Sequence, residues 1–362
     1  MVDNMNSNKI GVLTFHRTNN FGSQLQAFAL YRAIEDLGYP CEIIDYRCPA
    51  IENREFKKPR TKISSLKQLV KAMLLNPTLH IKSDHMQRFL SDNAKVSCPY
   101  TPDTIHRANT QYGKFMVGSD IVWGVDITES DFTYFLDFVQ DSKKKFAFAS
   151  SVGNSELGIQ EENIASLLSE FSQICVRESD AVNWVKRLSG KDASLVCDPT
   201  MLLPAQSWDA YVPPKKYKKG YVLVYFNNDD GKCLADAVRY AKKHGLKVYH
   251  IHYNMPTKGI VRVRPKTLQE FLGLIKNAEA VFTASYHGML FSTYYERELF
   301  FYTRCHKERM LSLAEKISIM GRCCDQQDVF QVKPMDYAQI KVKTDLFRQQ
   351  SMECLKKELE NA

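Results

Sequence analysis

The chain has no run of eighteen apolar residues, so nothing in it reads as a membrane-spanning helix. Its first fifteen residues, MVDNMNSNKIGVLTF, hold neither an apolar signal core nor a small-residue cleavage site, which makes the cytoplasm the expected location. The ten cysteines are scattered, with no CxxC pair and no Cys/His spacing suited to zinc, so no metal is expected. Cys175 and Cys197 lie inside apolar runs and read as buried thiols. No GxGxxG loop is present, and a dinucleotide is not implied. Helix-turn-helix, zinc-finger and RNA-binding signatures are also missing, so the net charge of +8 does not point to nucleic acid. That charge leaves phosphorylated substrates, acidic glycans, an anionic membrane surface, or a plain excess of surface lysine.

What is present is an ordinary globular composition, 44% apolar and 25% charged, over 362 residues. That length exceeds one usual core and predicts more than one domain. IGVLTF (10–15), the loop HRTNNFGSQ, a helix through Leu30, Ile34 and Leu37, a stop at Gly38 and the strand CEIIDY form an opening strand–loop–helix–strand unit. In its loop, Asn20 and Gly22 either offer donors at a helix start or form a plain capped turn. From Pro49 to about Thr110 the strand pattern lapses. Lys57, Lys58, Arg60, Lys62, Lys67 and Lys71 surround Leu66, Leu69, Val70, Met73 and Leu74 at helical spacing. This basic amphipathic helix either covers its own domain or rests on a membrane.

Strands return at 114–120, 145–151, 174–178 and 194–199, with helices at Glu161–Phe171 and Ser179–Leu188. Three of them end in polar clusters: Gly118-Ser119-Asp120, Ser150 to Asn154, and Arg177 to Asp180. Ligands of open parallel sheets sit outside strand carboxyl ends, so these clusters are candidates to line one crevice; Ser179 and Asp180 also suit helix capping. A second series starts at Tyr221: YVLVYF, a helix at Gly231–His244, KVYHIHY, a short strand near Ile260–Val263, a helix at Leu268–Asn277, then VFTASYHGMLFSTYY (281–295) and ELFFY. In the 281–295 stretch a strand breaks through small residues into a helix. Ser285, His287 and Gly288 would stand at that helix's anion-binding N-terminus, or His287 would be a core histidine capping it. The expected architecture is α/β: two Rossmann-like domains facing across a cleft, GT-B-like, with parallel sheets. Their boundaries are set at 1–204, with the 50–110 insertion, and 205–335, followed by a closing helical tail at 336–362.

Five pieces occur in one order: TNNFGSQLQAFAL (18–30), VGSDIVW (117–123), VRESDA (176–181), CDPTMLL (197–203) and TASYHGMLFS (283–292). The series resembles the polysaccharide pyruvyl transferase family from about residue 10 to 305. The resemblance implies transfer of a pyruvyl group from phosphoenolpyruvate to two sugar hydroxyls, giving a cyclic ketal and phosphate, with no other cofactor. By the same resemblance Arg177 would clamp the donor's carboxylate or phosphate, with a surface ion pair to Glu178 or Asp180 as the structural alternative. His287 would be the acid/base, and Asp120 would orient it, bind sugar hydroxyls or cap the next segment. Ser285 and Gly288 fall on the donor side. Asn20, Gly22 and Ser119 fall on the acceptor or phosphate side. Many members carry an arginine two residues before the histidine, in RLH; here Ser285 stands there, in an SYHG form that looks like a subgroup found with glycan-assembly enzymes. Arg304, Lys307 or Arg17 would then have to supply the charge. The implied acceptor is a sugar of a surface or capsular polysaccharide, with galactose as a 4,6-ketal the common case. A lipid-linked oligosaccharide and contact with the inner membrane face would fit the basic helix. A GT-B glycosyltransferase using a nucleotide sugar, or a non-catalytic glycan- or phosphosugar-binding homologue, are the competing functions.

Overall fold

A computed structural model describes residues 8–56, 66–153, 160–226, 231–303 and 307–360, with backbone alone for 66–77. The chain divides into two compact units, one of residues 1–57, 87–203 and 344–362, the other of 58–86 and 204–343. Asn154, Arg304 and Lys57 to Lys62 lie outside the described residues, as do the side chains of the basic helix from Lys67 to Lys71.

The first unit is built on a parallel sheet of β1 (Ile10–Leu13), β2 (Cys41–Ile43), β3 (Lys114–Val117), β4 (Lys145–Ser150), β5 (Gln173–Val176) and β6 (Ser194–Leu195), in the order β2-β1-β3-β4-β5-β6. IGVL, KFMV and KFAFAS are buried at every position, as strands covered on both faces must be. Its helices include α1 (Phe21–Asp36), α2 (Pro49–Glu55), α4 (Val125–Thr128), α5 (Glu161–Ser169) and α6 (Ser179–Ser189), whereas α3 (Leu66–Asn93) belongs to the second unit up to Met86 and to the first from Gln87. The run expected as a strand over 194–199 pairs for two residues only, because Asp198 turns the chain into a short 3-10 segment, accepting from the Thr200 amide at 2.9 Å. Within the stretch lacking strands, Val96 and Tyr100 make single parallel bridges to Ile43 and Tyr46. Trp123, stacked on Phe135 at 5.6 Å and on Trp184 at 6.2 Å, lies in the unit's apolar core.

After α7 (Ala205–Tyr211) the second unit repeats the plan: β7 (Tyr221–Tyr225), α8 (Gly231–His244), β8 (Lys247–Ile251), β9 (Val261–Val263), α9 (Leu268–Lys276), β10 (Ala280–Thr283), α10 (Tyr286–Tyr294), β11 (Glu298–Phe301) and α11 (Glu308–Lys316). Its five strands are parallel in the order β11-β10-β7-β8-β9, with β10 and β7 central and buried throughout. The last helix, α12 (Tyr337–Glu360), lies where a helical tail is expected. In the first unit, Ser351 of α12 accepts from the Cys197 amide at 2.8 Å, and Lys114 donates to the Glu358 carbonyl at 2.9 Å.

Candidate active site

In the first unit, polar groups gather where the sheet's strands end and α1 begins. Asn20 caps α1, its side-chain oxygen accepting from the Gly22 amide at 2.9 Å. The capped turn and the helix start expected here are thus one arrangement. One residue further, the Ser23 hydroxyl donates to Asp120 Oδ2. Asp120 sits just past β3 in the left-handed region, φ +71°, and also accepts from the Ile121 amide at 2.9 Å. A non-glycine residue held there is a strain that surrounding contacts must sustain. The preceding Gly118 is fixed by packing: a Cβ would lie 2.0 Å from the Phe148 carbonyl oxygen of β4.

Ser119 is fully buried and locked on three sides. Its amide donates to Gln26 Oε1 at 3.2 Å, its carbonyl accepts from Thr14 at 3.1 Å, and its hydroxyl accepts from Arg177 Nη1 at 3.5 Å. Arg177 is not a surface ion pair with Glu178 or Asp180. Its Nη1 donates to Asp198 Oδ2 at 2.5 Å, its Nη2 lies 3.8 Å from Asp120 Oδ1, and both Arg177 and Asp198 side chains are completely buried. The guanidinium is therefore already compensated by carboxylates, and a ligand clamped by it would have to displace one of them. Glu178, not Ser179 or Asp180, occupies the N-cap of α6, and its carboxylate instead accepts from the Ser151 hydroxyl at 2.9 Å and the Val152 amide at 2.7 Å. These bonds, with a Ser151 amide bond to Asp120 at 3.1 Å, bring the three polar strand ends together. Carboxylates outnumber the one guanidinium, so the cluster suits hydroxyl partners better than a second anion.

In the second unit, β10 ends at Thr283 and Ser285 caps α10, accepting from the Gly288 amide at 3.4 Å. The Ser285 amide donates to Thr283 Oγ1 at 3.1 Å, and that hydroxyl donates to the Tyr225 carbonyl at 2.6 Å. Burial raises the Tyr225 hydroxyl to about 12, against the opposing effect of a hydrogen bond with Ser285. Gly288 is required by this packing, since a Cβ there would meet Thr283 Oγ1 at 2.4 Å and the Tyr225 ring at 3.1 Å. His287 is the second residue of α10, 6% exposed, with its ring 5.3 Å from that of Tyr286. The cap is Ser285, so His287 does not have to serve as one.

Of the cations proposed to replace the RLH arginine, Arg17 is taken: its Nε donates to Glu52 at 2.6 Å and its Nη1 to Gln87 at 3.1 Å. Lys307 is exposed, one residue before α11. Next to Arg17, His16 bonds Asp45 at 3.0 Å and the Thr14 carbonyl at 3.1 Å. Burial pushes the Asp45 carboxyl up, but hydrogen bonds with His16 and Arg47 outweigh it and hold the group at about 2. Ser23, Gln26, Asp198 and Tyr225 were not singled out by sequence reasoning. Ser23, Gln26 and Asp198 stand inside the quoted motifs, whereas Tyr225 looks like an ordinary strand residue.

Two parallel α/β units, each with polar groups at its strand ends, define a GT-B-like fold of two Rossmann-like halves. The UDP-GlcNAc 2-epimerase of Neisseria meningitidis bound to UDP-GlcNAc matches 98% of this chain and 100% of its own, at 10% identity and a TM-score of 0.52. The UDP-GlcNAc 2-epimerase of Methanocaldococcus jannaschii matches 94% and 92%, at 13% identity and a TM-score of 0.45. Among curated proteins none matches the chain. The family model for polysaccharide pyruvyl transferase spans residues 20–306, and the chain belongs to that family. Membership implies a transferase with a sugar acceptor. Among the described residues no group of His, Cys, Asp and Glu is arranged to hold a metal, and no helix is long and apolar enough to cross a membrane.

Proposed function

We propose that the protein moves the pyruvyl group of phosphoenolpyruvate onto two hydroxyls of a sugar, galactose as a 4,6-ketal being the first candidate, during assembly of a surface or capsular polysaccharide. The observation that carries this reading is the match of the family model over residues 20–306, which takes in both polar clusters. In the proposed reaction one sugar hydroxyl adds to C2 of the donor and C3 gains a proton. The second hydroxyl then replaces phosphate at C2, so one hydroxyl proton ends on C3 and the other on phosphate.

His287 at the start of α10 is the proposed proton donor to C3, and Asp120 the proposed acceptor of a hydroxyl proton. The first turn of α10, with Ser285 and Gly288, is the proposed seat for donor oxyanions, where helix N–H groups and dipole favour negative charge. Arg177, its charge met by Asp198 and Asp120, holds the polar strand ends in place and is not asked to clamp the donor. Asn20, Gly22 and Ser119 shape the acceptor side. The proposed acceptor is lipid-linked and presented at the cytoplasmic membrane face, and no cofactor besides the donor is invoked.

The test is phosphate release from phosphoenolpyruvate with galactose-terminated acceptors, alongside calorimetric titration of the donor. The expected result is acceptor-dependent phosphate release that falls at least 100-fold in His287→Ala and Asp120→Asn while both variants keep their fold. Binding of a nucleotide sugar, with no binding of phosphoenolpyruvate in the presence of acceptor, would replace this reading by a glycosyltransferase. Ligand binding without turnover in the unaltered protein would replace it by a non-catalytic homologue.

A further inference from the structure

In the second unit, a shallow groove of about 570 Å³ runs between α8 and the edge strand β9. It lies where β8 and β9 begin, the opposite edge of that sheet from Thr283 and His287. Leu246 and Ile260, half-buried extensions of the unit's apolar core, line it. Two valines stand proud of it, Val238 at 41% exposure and Val261 at 42%. Lys242 and Lys247 complete the lining, and Lys258 precedes its Gly259. All three lysines are exposed, and among the described residues no carboxylate forms an ion pair with any of them.

Apolar side chains projecting among uncompensated lysines match one surface in charge and in polarity. A bilayer of anionic lipid offers phosphates to the ammonium groups and an apolar interface to the valines. A polyanion in water would answer only the lysines and would leave the valines exposed. We propose that this groove is a docking surface for an anionic membrane. Docked by this edge, the protein keeps the carboxyl ends of β7, β8 and β10 off the lipid. The inference does not depend on which reaction the protein catalyses.

The experiment is co-sedimentation of the full chain with vesicles of phosphatidylglycerol and phosphatidylcholine, against vesicles of phosphatidylcholine alone. Binding is expected to the anionic vesicles only and to weaken as salt is raised. Each lysine near such a surface is worth about a fivefold change in partition, so Lys242→Ala/Lys247→Ala lowers it about 25-fold. Val238→Ser/Val261→Ser, both at exposed positions, lowers it further with the charge unchanged. Circular dichroism confirms that each variant is folded. Undiminished binding of both variants, or no binding of the unaltered chain at low salt, overturns the proposal. So does a concentration-dependent dimer in sedimentation velocity that Val238→Ser/Val261→Ser abolishes, because the groove would then be a contact with a second copy.

Discussion

Removing Asp198 takes an ion pair at 2.5 Å from the buried Arg177 guanidinium, whose Nη2 lies 3.8 Å from the carboxylate of Asp120. Breaking a fully buried pair by deleting one partner costs about 3–5 kcal/mol, mostly the penalty of the stranded charge. Asp198→Ala also takes the acceptor from the Thr200 amide and hydroxyl, at 2.9 and 2.6 Å, which keeps the expected loss toward the upper end. The first unit can be followed alone by fluorescence. Trp123 and Trp184 belong to it and Trp208 to the second, so a Trp208→Phe background reports the first unit's unfolding. With a urea m-value of about 2–3 kcal/mol per molar, a loss of about 4 kcal/mol lowers the midpoint by about 1.5 M. Replacing both partners, Arg177→Met with Asp198→Leu, removes the stranded charge and should recover at least about 2 kcal/mol relative to Asp198→Ala. A midpoint for Asp198→Ala within about 0.2 M of its parent, or a double variant no more stable than the single one, would refute the account of Arg177 as a compensated charge.

Two further outcomes follow from the geometry. Alanine normally stabilises a helix over glycine by about 1 kcal/mol, but Gly288→Ala should destabilise the second unit by about 1–3 kcal/mol, because its Cβ meets Thr283 and Tyr225; thermal unfolding read by Trp208 fluorescence checks the sign. Asp45 is held at about 2 in the fold, below its unfolded value of roughly 4. Its contribution of about 2 kcal/mol is therefore present above pH 4 and lost as pH falls toward 2, so Asp45→Asn should flatten the first unit's stability between those limits in urea titrations at stepped pH.

The fold was legible because its strands are covered on both faces and so read as unbroken apolar runs. IGVL, KFMV, YVLVY and AVFT needed no alternation to be found. Polar endings of those runs located the strand ends. What the sequence hid were partners far apart in the chain. Arg177 finds Asp198 across 21 positions, and Ser23 finds Asp120 across 97. Local spacing instead offered Glu178 and Asp180 as partners for Arg177, and Ser179 as a cap. The ion-pair reading fails because Glu178 turns toward Ser151 and Val152 and Arg177 lies beneath the surface, and the cap reading because Glu178 holds the N-cap position of α6. Strand length was overestimated at 194–199 for a related reason: Val196, Cys197 and Asp198 are buried, but burial does not require pairing.

Ser285 stands where the RLH pattern has an arginine, and here its hydroxyl holds the first turn of α10. The position is thus occupied by a job rather than vacated. Installing arginine would remove a cap worth about 1 kcal/mol. In evolutionary terms the two motif forms are separated by a step that is costly when taken alone. A passage from SYHG toward RLH is open only to a chain that has first found another way to fasten α10. The same order of events applies to any laboratory attempt to convert one form into the other.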